Sequence, residues 1–159
     1  MGIGFCMYTI FMWVTELDST YLHYGEYLDI VIIILPIFII FKAIKQQSEN
    51  QKITILNRLT IALIIGLISY IIYQPFLYFY HHIINPTWFD SVLKLKEAEL
   101  KSNDIAREEM YGILIKMKES EIAKAPLINI SSFISSTFIL PCLIAIISSI
   151  FLKNKKSND

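Results

Sequence analysis

Residues 59–84 and 127–152 form two apolar runs that contain no Asp, Glu, Lys or Arg, and they bracket a charged segment, residues 85–126. Each run is about 26 residues long. At about 1.5 Å per helical residue, either one crosses a hydrocarbon core of about 30 Å. This pair of runs fixes the solvent as lipid. Composition agrees: of 159 residues, 55% are apolar and 18% charged, a balance that a small water-soluble domain has too little interior to hide.

Two further spans are expected, giving an all-α integral membrane protein with crossings at about 3–17, 27–44, 59–84 and 127–152. The first stretch lacks a basic leader and a small-x-small cleavage signal, since Val14-Thr15-Glu16 follows Trp13. It is therefore expected to stay attached as a membrane segment. The second carries Asp29 and Pro36. Tyr21, Tyr24 and Tyr27 supply an interfacial aromatic belt, and Lys42 can snorkel at the far end.

Basic residues set the orientation. The first connection has none, the second has Lys42, Lys45, Lys52 and Arg58, and the tail has Lys153, Lys155 and Lys156. Basic flanks stay cytoplasmic, so both termini are expected inside. Glu16, Asp18, Glu26, Asp29 and the whole of 85–126 then face outward. That long outer segment holds seven basic and eight acidic residues, which nearly cancel.

The outer segment reads as an extracytoplasmic two-helix hairpin, about 86–125, between spans three and four. After Asn85-Pro86, Thr87 offers a cap, and Trp88, Val92 and Leu95 recur at i, i+4 and i+7 with Phe89 and Leu93 beside them. Ser102-Asn103-Asp104 supplies turn chemistry before Ala106, Met110, Ile113 and Met117 repeat at helical spacing. Glu97 and Lys101 have the favoured acid-first spacing of four, while Gly112 marks a bend or a close approach. Trp88, Phe89, Met110, Ile113 and Met117 form the candidate interaction surface. The plainer reading is a solvated cap joining two spans.

Within the membrane, packing devices outnumber chemical ones. Ala62 and Gly66 form a small-xxx-small pair on span three, and Ser132 with Ser136, Ser131 with Ser135, and Ala145 with Ser149 repeat it on span four. Pro36, Pro75 and Pro141 each remove a backbone donor and can kink a span. Gln74 beside Pro75, with Tyr73, Tyr78 and His81, forms an alternative ligand site. His81, His82 and His23 could approach one outer interface, but adjacent histidines on a helix diverge by about 100° and no HxxxH spacing exists. Cys6 and Cys142 lie in separate apolar runs and read as small packing residues.

Several activities lack their residues. There is no glycine-rich phosphate loop, no GxSxG elbow and no CxxC pair, so no enzyme activity, cofactor or metal is expected. A formal net charge of zero gives no basic field for nucleic acid.

Gly66-Leu67-Ile68-Ser69, Ile84-Asn85-Pro86-Thr87-Trp88-Phe89 and the terminal Ile150-Phe151-Leu152-Lys153 resemble the bacterial membrane family known as domain of unknown function 4199, whose signature reads I-N-P-x-F. The first half is similar in layout, with Tyr24-Gly25-Glu26-Tyr27 in a short outer connection and Lys42 at the end of a span. The chain departs from the pattern in lacking a glycine before span three and in its short N-terminus. The resemblance implies a helical inner-membrane protein and no catalytic residues. Two functions follow as expectations: a non-enzymatic interaction or assembly protein whose outer hairpin meets an unknown protein partner or a second copy, and a small transporter or sensor with its site near Gln74.

Overall fold

A computed structural model describes residues 1–103 and 105–152. All regular elements among them are helical: α1 Gly2–Val14, α2 Leu22–Ile32, α3 Ile34–Asn50, α4 Ile55–Phe79, α5 Trp88–Ser102, α6 Arg107–Glu119, α7 Glu121–Lys124, α8 Ile130–Ile134 and α9 Leu140–Phe151. Wider π-turns extend α4 through Tyr80–Ile84 and join α8 to α9 through Ser135–Ile139.

Three helical stretches are long and apolar enough to cross a membrane: Tyr27–Asn50, Ile55–Ile84 and Ile130–Phe151. The first apolar stretch is shorter than expected. Its helix, α1, has 13 residues and reaches only about 20 Å. Gly2 packs on the carbonyl of Ser69, halfway along the Ile55–Ile84 helix, where a Cβ would lie 2.8 Å from that oxygen. α1 therefore runs beside half of its neighbour.

α4 is the centre of the bundle and packs against α1, α3 and α9. Ile40 and Ile44 of α3, Ala62 of α4, and Ile144 and Ala145 of α9 close one core together with Ile53. Gly66 lets α4 meet the π-turn of the last span, since a Cβ there would stand 2.7 Å from the carbonyl oxygen of Ser136. Ala62 and Gly66 thus pack as their spacing predicts. The serines act differently from the expected interhelical glue: Ser136 donates to Ser132 O at 2.6 Å, and Ser148 and Ser149 both donate to Ala145 O, within their own helix. Ser132 itself is exposed. A serine hydroxyl one turn above a helical carbonyl reaches that acceptor before a neighbouring helix.

Prolines explain the breaks. Pro36 leaves Ile32 without its helical N–H donor, and the chain is interrupted at Ile33 between α2 and α3. Pro141, the second residue of α9, likewise stands just after the π-turn and removes a donor to it. The second connection is shorter than expected, because α4 already begins at Ile55, where Thr54 accepts a hydrogen bond from the Asn57 N–H at 3.2 Å. The last span begins later, at Ile130, capped by Asn129 through the Ser132 N–H at 2.8 Å.

The hairpin exists as α5 and α6 and closes its own small core of Leu100, Met110 and Leu114, flanked by Leu93, Ile105 and Ile113. Thr87 occupies the N-cap of α5 without a side-chain cap bond, and α6 starts after Ala106 rather than at the Ser-Asn turn. Asp104 and the basic tail residues Lys153, Lys155 and Lys156 lie outside the described residues. Gly112 marks no close approach, for nothing lies within 4 Å of a Cβ placed there.

Candidate functional site

Two nearly buried charges stand at opposite ends of α4. Arg58, in its first turn, is only 3% exposed. Its guanidinium donates to Ser148 O and Leu152 O, both at 2.9 Å, at the end of α9. Those carbonyls carry the negative end of the helix dipole, so the cation satisfies orphan acceptors and complements the dipole together. The sequence placed Arg58 in a solvated connection; the early start of α4 turns it inward.

At the other end lies a polar cluster built from four segments. The chain leaves α1 through a tight turn in which Glu16 takes φ 58, and it passes so close to α2 that a Cβ on Gly25 would lie 2.1 Å from Leu17 O. That turn holds Asp18 against the π-turn ending α4. Tyr80 donates its hydroxyl to Asp18 Oδ2, and Asn85 donates to the same oxygen at 3.3 Å and to the Tyr80 hydroxyl at 3.0 Å. Asp18 is 9% exposed, and its buried Oδ1 has no hydrogen-bond partner among the described residues. His81 Nδ1 is also buried and unpartnered. The His81 ring packs against Trp88 at 4.6 Å, joining the cluster to the root of the hairpin.

A cavity of about 230 Å³ opens between these groups, walled by Tyr8, Tyr73, Tyr80 and Trp88 and carrying Asp18 and Asp29. Tyr8 donates to Asp29 Oδ1 at 2.7 Å, and the hydroxyls of Tyr73 and Thr9 meet at 3.1 Å. Tyr73, Leu77 and Tyr80 reach it from one face of α4, at i, i+4 and i+7.

The structure divides the four residues of the alternative ligand site. Tyr73 and His81 line this cavity, whereas Gln74 donates to Pro126 O at 2.9 Å on another side of α4. There, Tyr70 joins it by bonding both Asn129 O and Asn129 N at 3.2 Å. Gln74 and Tyr70 thus satisfy the irregular backbone leading into the last span, where a non-helical segment needs such partners. Tyr78 turns outward and stacks on exposed His82 at 4.3 Å. The two adjacent histidines pack on different rings, His81 on Trp88 and His82 on Tyr78, yet both line a second cavity with Asn85 and Phe89. The His23 side chain lies outside the described residues. Among the described residues, no three His, Cys, Asp or Glu side chains form a group that could hold a metal ion.

The candidate interaction surface is also redistributed. Met110 is buried in the hairpin core and Ile113 packs against that core, so neither is a free surface. Trp88 is drawn toward His81 and pairs with Phe89. Only Met117 lines an open groove, about 810 Å³, between the hairpin and residues 20–24, where it meets Tyr21, Tyr24, Val92 and Leu95.

Sequence reasoning missed Tyr8, Asp18, Asp29 and Tyr80 as a cluster. One signal was available: the chain has no Lys or Arg before Lys42, yet it carries four acids there.

Long apolar helices around a shared core, with polar residues gathered at the helix ends, define a multi-pass helical membrane protein. Residues 1–154 match the family described as "Protein of unknown function (DUF4199)", and the chain belongs to that family. The match extends over the first half, where the motifs alone showed only a similar layout. No curated protein and no solved structure matches the chain.

Proposed function

We propose that this chain is a non-enzymatic interaction or assembly protein of the bacterial inner membrane, and that the groove beneath its outer hairpin docks an apolar-faced segment of a partner protein. One observation carries the reading. The hairpin closes its own apolar stripe around Leu100, Met110 and Leu114, yet Tyr21, Tyr24 and Leu95 stay exposed around the groove. Tyrosines offer large contact area at low entropic cost, which suits them to an interface. The rim cations and acids already neutralise each other, with Lys96 paired to Glu99 at 2.8 Å, so the groove favours an uncharged, apolar face.

In this reading the basic second connection and the C-terminus are cytoplasmic and the hairpin is outside, following the basic-residue asymmetry. α1 is the first of four crossings, and its short length requires local thinning of the bilayer. Cysteine labelling tests the topology. Tyr111→Cys should react from outside and Gln51→Cys from inside, and reactivity of Ile3→Cys from the cytoplasm distinguishes four crossings from three. Photocrosslinking tests the groove: a probe at Leu95 or Tyr24 should trap a partner that a probe at Tyr111, on the far side of the hairpin, does not. Equal trapping at all three positions, or an unchanged partner after deletion of residues 90–122, would remove the docking role.

A further inference from the structure

We propose that the cavity between α1, α2, the end of α4 and Trp88 is a binding site for a primary ammonium group. This site is separate from the hairpin groove and does not depend on the docking reading. Three observations converge on it.

The first is charge. Asp18 and Asp29 both line the cavity, and among the described residues neither makes an ion pair; the described pairs are Lys45–Glu49, Lys96–Glu99 and Lys101–Glu97. No Lys or Arg among the described residues lines it either. A buried carboxylate in a low-dielectric setting calls for a compensating cation. At the opposite end of α4 a guanidinium and helix-end carbonyls meet; here the described residues supply neutral hydrogen-bond donors, Tyr80, Asn85 and Tyr8, but no cation.

The second is hydrogen bonding. Asp18 is nine-tenths buried, and while Oδ2 accepts from Tyr80 and Asn85, Oδ1 has no partner among the described residues. His81 Nδ1 is buried and equally unpartnered. An N–H-bearing cation offers donors to the Asp18 carboxylate, and to His81 Nδ1 in the tautomer that leaves that nitrogen unprotonated. A quaternary ammonium has none and is excluded, while a primary ammonium offers three donors, the most of any alkylammonium, on the smallest head.

The third is the wall. Tyr8, Tyr73, Tyr80 and Trp88 present aromatic rings around the acids, and a ring face attracts a cation once water is excluded. At about 230 Å³ the cavity is smaller than drug-sized sites. It suits a few-carbon amine. Since the cluster lies at the end of a membrane-spanning helix, that ammonium can come from a free amine or from the ethanolamine headgroup of a phospholipid.

The full chain in detergent, with Trp13→Phe leaving Trp88 as the fluorescent reporter, tests the site and the source. Ethylammonium should give a saturable change at pH 7, and neutral 1-propanol should give none. Asp18→Asn should weaken ethylammonium binding by at least about tenfold, and Asp29→Asn, at a more exposed carboxylate, by about threefold. In nanodiscs of phosphatidylglycerol, a Trp88 change that appears only when phosphatidylethanolamine is included, and that reduces the response to ethylammonium, assigns the headgroup as the source. Ethylammonium binding unaffected by phosphatidylethanolamine assigns a free amine. Binding of 1-propanol equal to that of ethylammonium, retention of full affinity in folded Asp18→Asn, or no saturable response to either source would overturn the proposal. The comparison of charged and neutral ligand on the unaltered cavity stands even if Asp18→Asn fails to fold.

Discussion

Arg58 and Asp18 pose the same physical problem at the two ends of α4 and receive opposite treatment. Both side chains are at least nine-tenths buried. The guanidinium reaches carbonyl oxygens at the end of α9, so it locks one helix end to another. The carboxylate has one oxygen held by Tyr80 and Asn85 and one oxygen left without a donor. A satisfied buried charge stabilises the scaffold, whereas a half-satisfied one costs stability and calls for an explanation, which the proposed ammonium site supplies. The α4–α9 end is fixed by its own contacts, and the end formed with α1 and α2 is where we place the ammonium site.

The largest test removes the satisfied charge. Arg58→Leu deprives the α9 terminus of charge-assisted hydrogen bonds and should cost about 3 kcal/mol, seen as a lower Tm in detergent. Arg58→Lys should fall between, because an ammonium cannot match the two-pronged geometry of the guanidinium. An unaltered Tm in Arg58→Leu would break the comparison at its rigid end.

Next in size is Gly25→Ala. Its Cβ would collide with the backbone of Leu17 and the tip of Met12, displacing the turn that carries Asp18 at a cost of about 2 kcal/mol. Trp88 fluorescence should shift with it, while the Arg58 end stays in place. Protection of Cys142, on α9, from thiol reagents checks that second point.

Asp18→Asn should act in the opposite sense to Arg58→Leu. It keeps the shape and removes a charge without a full complement of donors, so in the absence of amine it should raise stability by about 1 kcal/mol. A loss of similar size in the same melting experiment would show that the carboxylate is already compensated.

The smallest effect lies on the exposed hairpin. The hydrogen bond from Lys101 holds the Glu97 carboxyl below its usual range, across a contact of 2.7 Å. A depressed carboxyl stabilises the fold above its unfolded value, and this contribution fades as pH falls through the folded one. Lys101→Ala should move the Glu97 titration, followed by NMR, upward, with hardly any change in Tm because water screens the pair.

Much of the scaffold is legible in the residues. Uncharged apolar runs mark the long helices, and small residues spaced by four place Ala62 and Gly66 at the α4–α9 contact, because helix periodicity alone decides which side chains share a face. The alternation of Trp88 through Met117 marks the two hairpin helices for the same reason. Boundaries were less legible. Thr54 starts α4 ahead of the apolar run, and Asn129 starts the last span after it, since capping depends on a local hydrogen bond that hydropathy does not record.

The candidate site was hidden for a different reason. Asp18 and Tyr80 are 62 residues apart in the chain, and Tyr8 and Asp29 are 21 apart, on segments whose meeting depends on the turn at Glu16 and the close pass at Gly25. Gln74 suggested a ligand site because its amide stood beside a proline, but packing gave that amide to Pro126. The sequence by itself determined that this chain is helical, that it belongs in lipid, and which stretches are apolar enough to cross it, because those properties are local sums over neighbouring residues. Only the tertiary structure decided which buried charge found a partner, since burial and hydrogen bonding are set by residues that the chain brings together from far apart.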